Sequence, residues 1–103
     1  MSVSKLSPRD DVEEVRRIVL HGIGPARARV FLFGSRATGR ATRLSDIDVA
    51  ILPLEPLPEG ALSLIREALE ESSIPYRVDV VDLSAVEAAF RERVLAEGIP
   101  WSV

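Results

Sequence analysis

The segment FLFGSRATGRATRLSDIDVAIL, residues 31–52, constrains the fold more than any other part of the chain. One apolar run, ARVFLF over 28–33, ends at Gly34 and Ser35, and a second, DVAIL over 48–52, is entered through Asp46, Ile47 and Asp48. Short runs rich in β-branched and aromatic residues and bounded by Gly, Ser and Asp are strand signals. The connection over 39–45 is too short for a parallel crossover, so the two strands are predicted to be antiparallel neighbours. Residues 35–38 are predicted to form a short helical turn closed by Gly39.

The rest of the chain supplies helices and one more strand. Residues 8–21 read as a helix, with Ser7 as its cap, Pro8 in first position and Asp10, Asp11, Glu13 and Glu14 near its positive end. Val12, Val15, Ile18 and Val19 form its apolar stripe, and Gly22 and Gly24 are expected to end it. A Pro-rich stretch (Pro53, Pro56, Pro58) leads to a second helix over 59–71 striped by Leu62, Ile65 and Leu69. YRVDVVDL, 76–83, reads as a third strand. Ser84, or Asp82 at the end of the strand, can cap a last helix over 85–97 with Val86, Phe90, Val94 and Leu95 inward, and IPWSV is a candidate edge strand. The second helix is long enough to cross over to a parallel third strand. The prediction is one α/β (α+β) domain over 1–103, a small mixed sheet with helices packed on it.

Composition narrows the class. At 103 residues and 47% hydrophobic, the chain suits one globular core. No cysteine excludes disulfides and thiolate metal sites. No apolar run approaches a membrane span, so a cytoplasmic setting is the expectation. A net charge of −3 argues against a general nucleic-acid binder.

The chemistry concentrates at the strand ends. A strand running into a short helix presents unpaired N–H groups that bind anions, phosphate above all, and Gly34 admits close approach while the Ser35 hydroxyl adds a donor. An ordinary serine-capped turn has the same local sequence. Asp46 and Asp48, at i and i+2, share a face with α-carbons roughly 6.5 Å apart, a grip for a hard cation such as Mg2+, or else a solvated strand entrance. Asp79 interrupts an apolar strand, which is costly unless it is paired or metal-bound; pairing with Arg77, or a place on an edge strand, remains the alternative. Arg36 is the best placed arginine to reach a phosphate tail, ahead of Arg40 and Arg43. His21 suits a helix C-terminus, and Trp101 suits either an interface or the core. At average usage of roughly 5–7% per residue type, Gly-Ser-x10-Asp-x-Asp arises by chance in about one in a thousand chains of this length.

GSRATGRATRLSDID, with Asp79 in a third strand and this helix order, resembles the signature of the nucleotidyltransferase superfamily of DNA polymerase β type. At this length it resembles the minimal nucleotidyltransferases, the MNT or MntA-like antitoxins often partnered with HEPN-domain toxins. The resemblance spans nearly the whole chain and is specific for the superfamily more than for a substrate.

It implies Mg2+-dependent transfer of a nucleoside monophosphate, AMP from ATP, to a protein hydroxyl. Asp46 and Asp48 would hold two Mg2+ ions, Asp79 would bind the catalytic metal and help deprotonate the attacking hydroxyl, and Gly34, Ser35 and Arg36 would hold the triphosphate. Larger members carry extra acceptor-binding domains, so the acceptor is expected from a partner, a HEPN-type toxin, or from a second subunit. Two other readings stay open: a catalytically silent antitoxin that neutralises its partner by contact, and a nucleotidyltransferase acting on a small molecule or an RNA end.

Overall fold

The computed structural model describes residues 8–24, 28–34, 37, 39 and 46–101. Its elements are α1 (Pro8–Ile23), β1 (Ala28–Phe33), β2 (Ile47–Pro53), α2 (Ala61–Glu71), β3 (Val78–Asp82), a 3-10 turn (Leu83–Ala85), α3 (Ala88–Glu97) and β4 (Ile99–Trp101). The four strands form one sheet in the order β3-β2-β1-β4. β1 pairs antiparallel with β2 and β4, while β2 and β3 are parallel. This is the small mixed sheet expected, with α2 as the crossover between β2 and β3. Among the described residues neither β3 nor β4 pairs with a second strand.

Alternation along the strands makes two apolar layers. Val30, Leu32, Ile47, Val49, Ile51 and Val80 pack with Val15, Val19 and Ile23 of α1 and Ile65 and Leu69 of α2. On the opposite face Phe31 and Ala50 pack with Leu83 and Val94, backed by Val81 and Phe90. Residues alternate between the faces because successive side chains of a strand point to opposite sides. β2 is the most deeply placed strand: Ile47, Val49, Ala50 and Ile51 are all fully buried. Burial of each large aliphatic side chain contributes about 1.5–3 kcal/mol.

Several boundaries differ from the sequence reading, each for a local reason. Gly22 lies inside α1 rather than ending it, and Gly24, at φ 63°, closes the helix with its N–H on the Leu20 carbonyl at 3.1 Å. α2 starts two residues later than expected, after Gly60, whose φ is 80°. Ser84 does not cap the last helix. Asp82 instead accepts from the Ser84 N–H at 2.9 Å and the Ser84 hydroxyl at 2.6 Å, which winds a 3-10 turn and delays α3 to Ala88. Leu95, expected inward, is exposed, whereas Val94 is buried. Trp101 covers the core, buried opposite Val30 in the β1–β4 pair. His21 stands in the last turn of α1. Ser7 and the side chain of Asp10 lie outside the described residues. No helix among the described residues is long and apolar enough to cross a membrane.

The contrast between layers and surface is measurable. Ile51→Ala is expected to lower stability by about 2–5 kcal/mol. Leu64→Ala, at a position 65% exposed, is expected to change it by no more than about 0.5 kcal/mol. Urea unfolding followed by circular dichroism distinguishes the two.

Candidate active site

The C-terminal end of β1 and the N-terminal ends of β2 and β3 meet at one end of the sheet. Phe33 pairs with Asp48, and Asp48 with Asp79, so the three stand in one row across three strands. Neighbouring strands lie about 4.8 Å apart. Ala50 and Val81, the next residues on that face, belong to the layer under α3. Asp48 and Asp79 therefore share the α3 face, at the rim where its apolar contacts stop. Asp46 is exposed immediately before β2, two residues from Asp48, the spacing that keeps side chains on one side of an extended chain.

Gly34 follows Phe33 directly and turns the chain at φ 79°. Its carbonyl accepts from the Ala37 N–H at 3.0 Å, and Ala37 is helical, while the other residues of the expected turn, Ser35, Arg36 and Thr38, lie outside the described residues. A Cβ on Gly34 would collide with Oδ2 of Asp48. Glycine is thus demanded twice, by the left-handed backbone and by the carboxylate lying against it. Ser35 and Arg36, the expected phosphate-holding neighbours, lie outside the described residues, as do Arg40 and Arg43.

Asp79 is not the buried carboxylate that its apolar neighbours suggested. β3 is an edge strand, the Asp79 side chain is 40% exposed, and Arg77 Nε donates to its Oδ1 at 3.1 Å. An exposed pair of this kind contributes at most about 1 kcal/mol and can exchange partners. What distinguishes Asp79 is its register with Asp48.

Among the described residues no three His, Cys, Asp or Glu side chains form a ready-made metal cluster. The donor set nevertheless suits Mg2+, which takes one or two carboxylates, keeps several waters and completes its octahedron with substrate phosphates. Asp46, Asp48 and Asp79 offer hard oxygen donors only.

Two hollows open near the row, one mainly on the α2 face of the sheet and one on the α3 face. Beside β3, a cavity of about 500 Å3 is bordered by Asp79, Arg77, Tyr76, Arg66 and Glu70. Beside β1, one of about 210 Å3 is bordered by Gly34, Phe33, Phe90, Arg93 and Glu97. There the Phe33 and Phe90 rings meet edge to face, centroids 5.7 Å apart, and the Arg93 guanidinium lies 5.9 Å from the Phe90 ring centre. Sequence reasoning missed Arg93, a donor well suited to anionic oxygens. The signal was its i+3 spacing from Phe90, which puts both on one helix face.

Comparison with known proteins follows the same outline. The family model described as polymerase beta, nucleotidyltransferase, matches residues 26–100. Over 63 residues the chain is 44% identical to the probable protein adenylyltransferase MntA of Haemophilus influenzae, covering 61% of this chain and 55% of that protein. A solved structure described as a minimal nucleotidyltransferase superposes with a TM-score of 0.72 at 30% identity, covering 96% of this chain and all of that one. A crystal structure of a toxin–antitoxin with AMP-PNP superposes with a TM-score of 0.65 at 26% identity, covering 94% of this chain and 75% of that one. The chain spans about half the length of the curated relatives it matches.

Gly34→Ala tests the contact that organises the row. The strained backbone is expected to cost about 1–2 kcal/mol of stability. The displaced Asp48 carboxylate is expected to weaken binding of a Mg2+–nucleoside triphosphate by about tenfold or more, the equivalent of one lost charge-assisted contact. Thermal unfolding and isothermal titration read the two effects separately.

Proposed function

The chain belongs to the polymerase beta nucleotidyltransferase family, and from that membership we propose that it transfers AMP from ATP to a hydroxyl of a partner protein. The setting proposed is the cytoplasm, with the chain as antitoxin of a HEPN/MNT toxin–antitoxin pair. The observation that carries this reading is the Asp48–Asp79 row laid against the Gly34 turn. The names of its relatives support the protein acceptor and the toxin partner: a protein adenylyltransferase, and a toxin–antitoxin that holds AMP-PNP.

Each residue has a part. The turn from Gly34 into Ser35 and Arg36 holds the triphosphate tail through backbone N–H groups, a hydroxyl and a guanidinium. Asp46, Asp48 and Asp79 would hold two Mg2+ ions, which supply charge neutralisation to the attacking and leaving oxygens of an in-line displacement. Carboxylates by themselves repel a triphosphate, so this acidic row is suited to its substrate only as a cation site. The acceptor oxygen forms a bond to the α-phosphorus while the bond from that phosphorus to the bridging oxygen breaks. Pyrophosphate departs, and the hydroxyl proton passes to Asp79, at the open edge of the sheet, and from there to water.

The test is mass spectrometry of the neighbouring gene's product after co-expression with this chain. The expected result is a gain of one or more AMP masses. Asp48→Asn, nearly isosteric, is expected to reduce transfer by roughly 10²–10³-fold or more, with stability changed by no more than about 1 kcal/mol. An unmodified partner that is still bound and inhibited would assign the chain to the contact-only antitoxins. Near-normal transfer by Asp48→Asn would remove Asp48 from the site.

A further inference from the structure

α3 carries two arginines two residues apart, and their surroundings differ. Arg91 donates through Nε to the Leu83 carbonyl at 2.9 Å and through Nη2 to the Val86 carbonyl at 3.2 Å, which ties the helix to the 3-10 turn. Among the described residues neither a hydrogen bond nor an ion pair engages the Arg93 guanidinium. It lies 5.9 Å from the Phe90 ring centre. Attraction to a ring face holds a guanidinium without using its N–H donors, which stay available to an anion.

Arg93 borders the hollow of about 210 Å3 that reaches Gly34. This hollow is on the same face of the sheet as the carboxylates: Phe33 and Phe90 belong to the α3 layer, and Asp48 stands opposite Phe33 in the β1–β2 pair. Its border includes Gly34 but neither Asp48 nor Asp79. From Glu97 the chain passes through Gly98 into β4, the neighbour of β1 on the side away from β2. Along this face Asp79, Asp48, Gly34 and the hollow follow one another from β3 toward β4.

We infer that Arg93 receives the terminal phosphate of the nucleoside triphosphate, so that the hollow selects a triphosphate over a diphosphate. The inference rests on the nucleotidyl-transfer reading above and adds to it a residue outside the motif and a basis for substrate choice. With the metal-bound part of the tail at Asp48 and the tail following the Gly34 turn, the far end of the tail comes to the hollow. Sites that enclose a whole small ligand run to about 300–1,000 Å3. A hollow of about 210 Å3 suits one end of a ligand. A guanidinium pairs with phosphate oxygens through two parallel N–H···O bonds. Glu97, exposed one turn further along α3, is the acid on this border and opposes an anion there. Its carboxylate would instead favour the amino group of a base. The two occupants therefore predict opposite effects of removing that charge.

The experiment is isothermal titration of the native chain, Arg93→Gln and Glu97→Gln with Mg2+–ATP, Mg2+–ADP and AMP. Both positions are exposed, so neither change opens an apolar layer. Arg93→Gln is expected to weaken Mg2+–ATP binding by about tenfold, the equivalent of one charge-assisted contact. Its affinities for Mg2+–ADP and AMP are expected to stay unchanged, which a general loss of structure would not allow. Glu97→Gln is expected to hold the Mg2+–ATP affinity or tighten it by up to about fivefold, the size of an exposed charge interaction. Unchanged Mg2+–ATP binding by Arg93→Gln would overturn the inference, and so would an equal loss for all three nucleotides. Weaker binding of Mg2+–ATP by Glu97→Gln would overturn it as well and give the hollow to the base. Each of these results leaves AMP transfer to a protein standing. Selective loss of Mg2+–ATP binding in Arg93→Gln, with no protein modified by the native chain, would uphold the inference while the protein acceptor falls. A native chain that binds no nucleotide would bring down both.

Discussion

The site depends on the close approach of the Gly34 backbone to the Asp48 carboxylate, and that approach depends on one strand register. Because Phe33 sits opposite Asp48 in the β1–β2 pair, the residue after Phe33 turns directly over the carboxylate. A shift by one position would move Asp48 to the face occupied by α1 and α2, among fully buried aliphatic side chains. The apolar alternation of β2 prevents that shift: Val49 and Ile51 are held on one face and Ala50 on the other. Core packing and site geometry are thus one constraint, since the residues that bury β2 also aim its acidic entrance.

The parallel pairing of β2 and β3 extends the row. α2 carries the chain across the sheet, anchored by Ile65 and Leu69, and returns it so that Asp79 falls beside Asp48. The hydrogen bond from the Ile47 N–H to the Arg77 carbonyl, 2.9 Å, fixes the start of that pairing. Since β3 is the edge, its carboxylate remains accessible, balanced by Arg77 rather than sealed in the core.

Family membership and architecture agree on a nucleotidyltransferase scaffold. The two hollows beside the row differ in character. The one near Gly34 is walled by an aromatic pair and a guanidinium, while the one near Asp79 has balanced charges and an open rim.

Much of this was legible in the sequence, and the exceptions share a cause. β1 over 28–33, the antiparallel β1–β2 pair, the parallel third strand and the glycine turn all followed from local pattern and loop length, properties that act over a few residues. Gly34 and Asp48 could be named as neighbours of one turn because their strands are adjacent in the chain. For Asp79 the sequence left two readings open, a metal-bound carboxylate in a buried strand or an acid paired with Arg77 on an edge strand, and strand order is what shows the pairing and the half-exposed edge position. Asp82, rather than Ser84, shaped the entry to α3, because competing caps two residues apart are separated only by the path of the backbone. Arg93 and the cavity beside β3 were invisible, since they arise where α3 and α2 pass over strands distant in sequence. Local periodicity and spacing determined the elements and the acidic motif; register and edge position, set by long-range packing of the two layers, decided which carboxylates meet and from which side they can be reached.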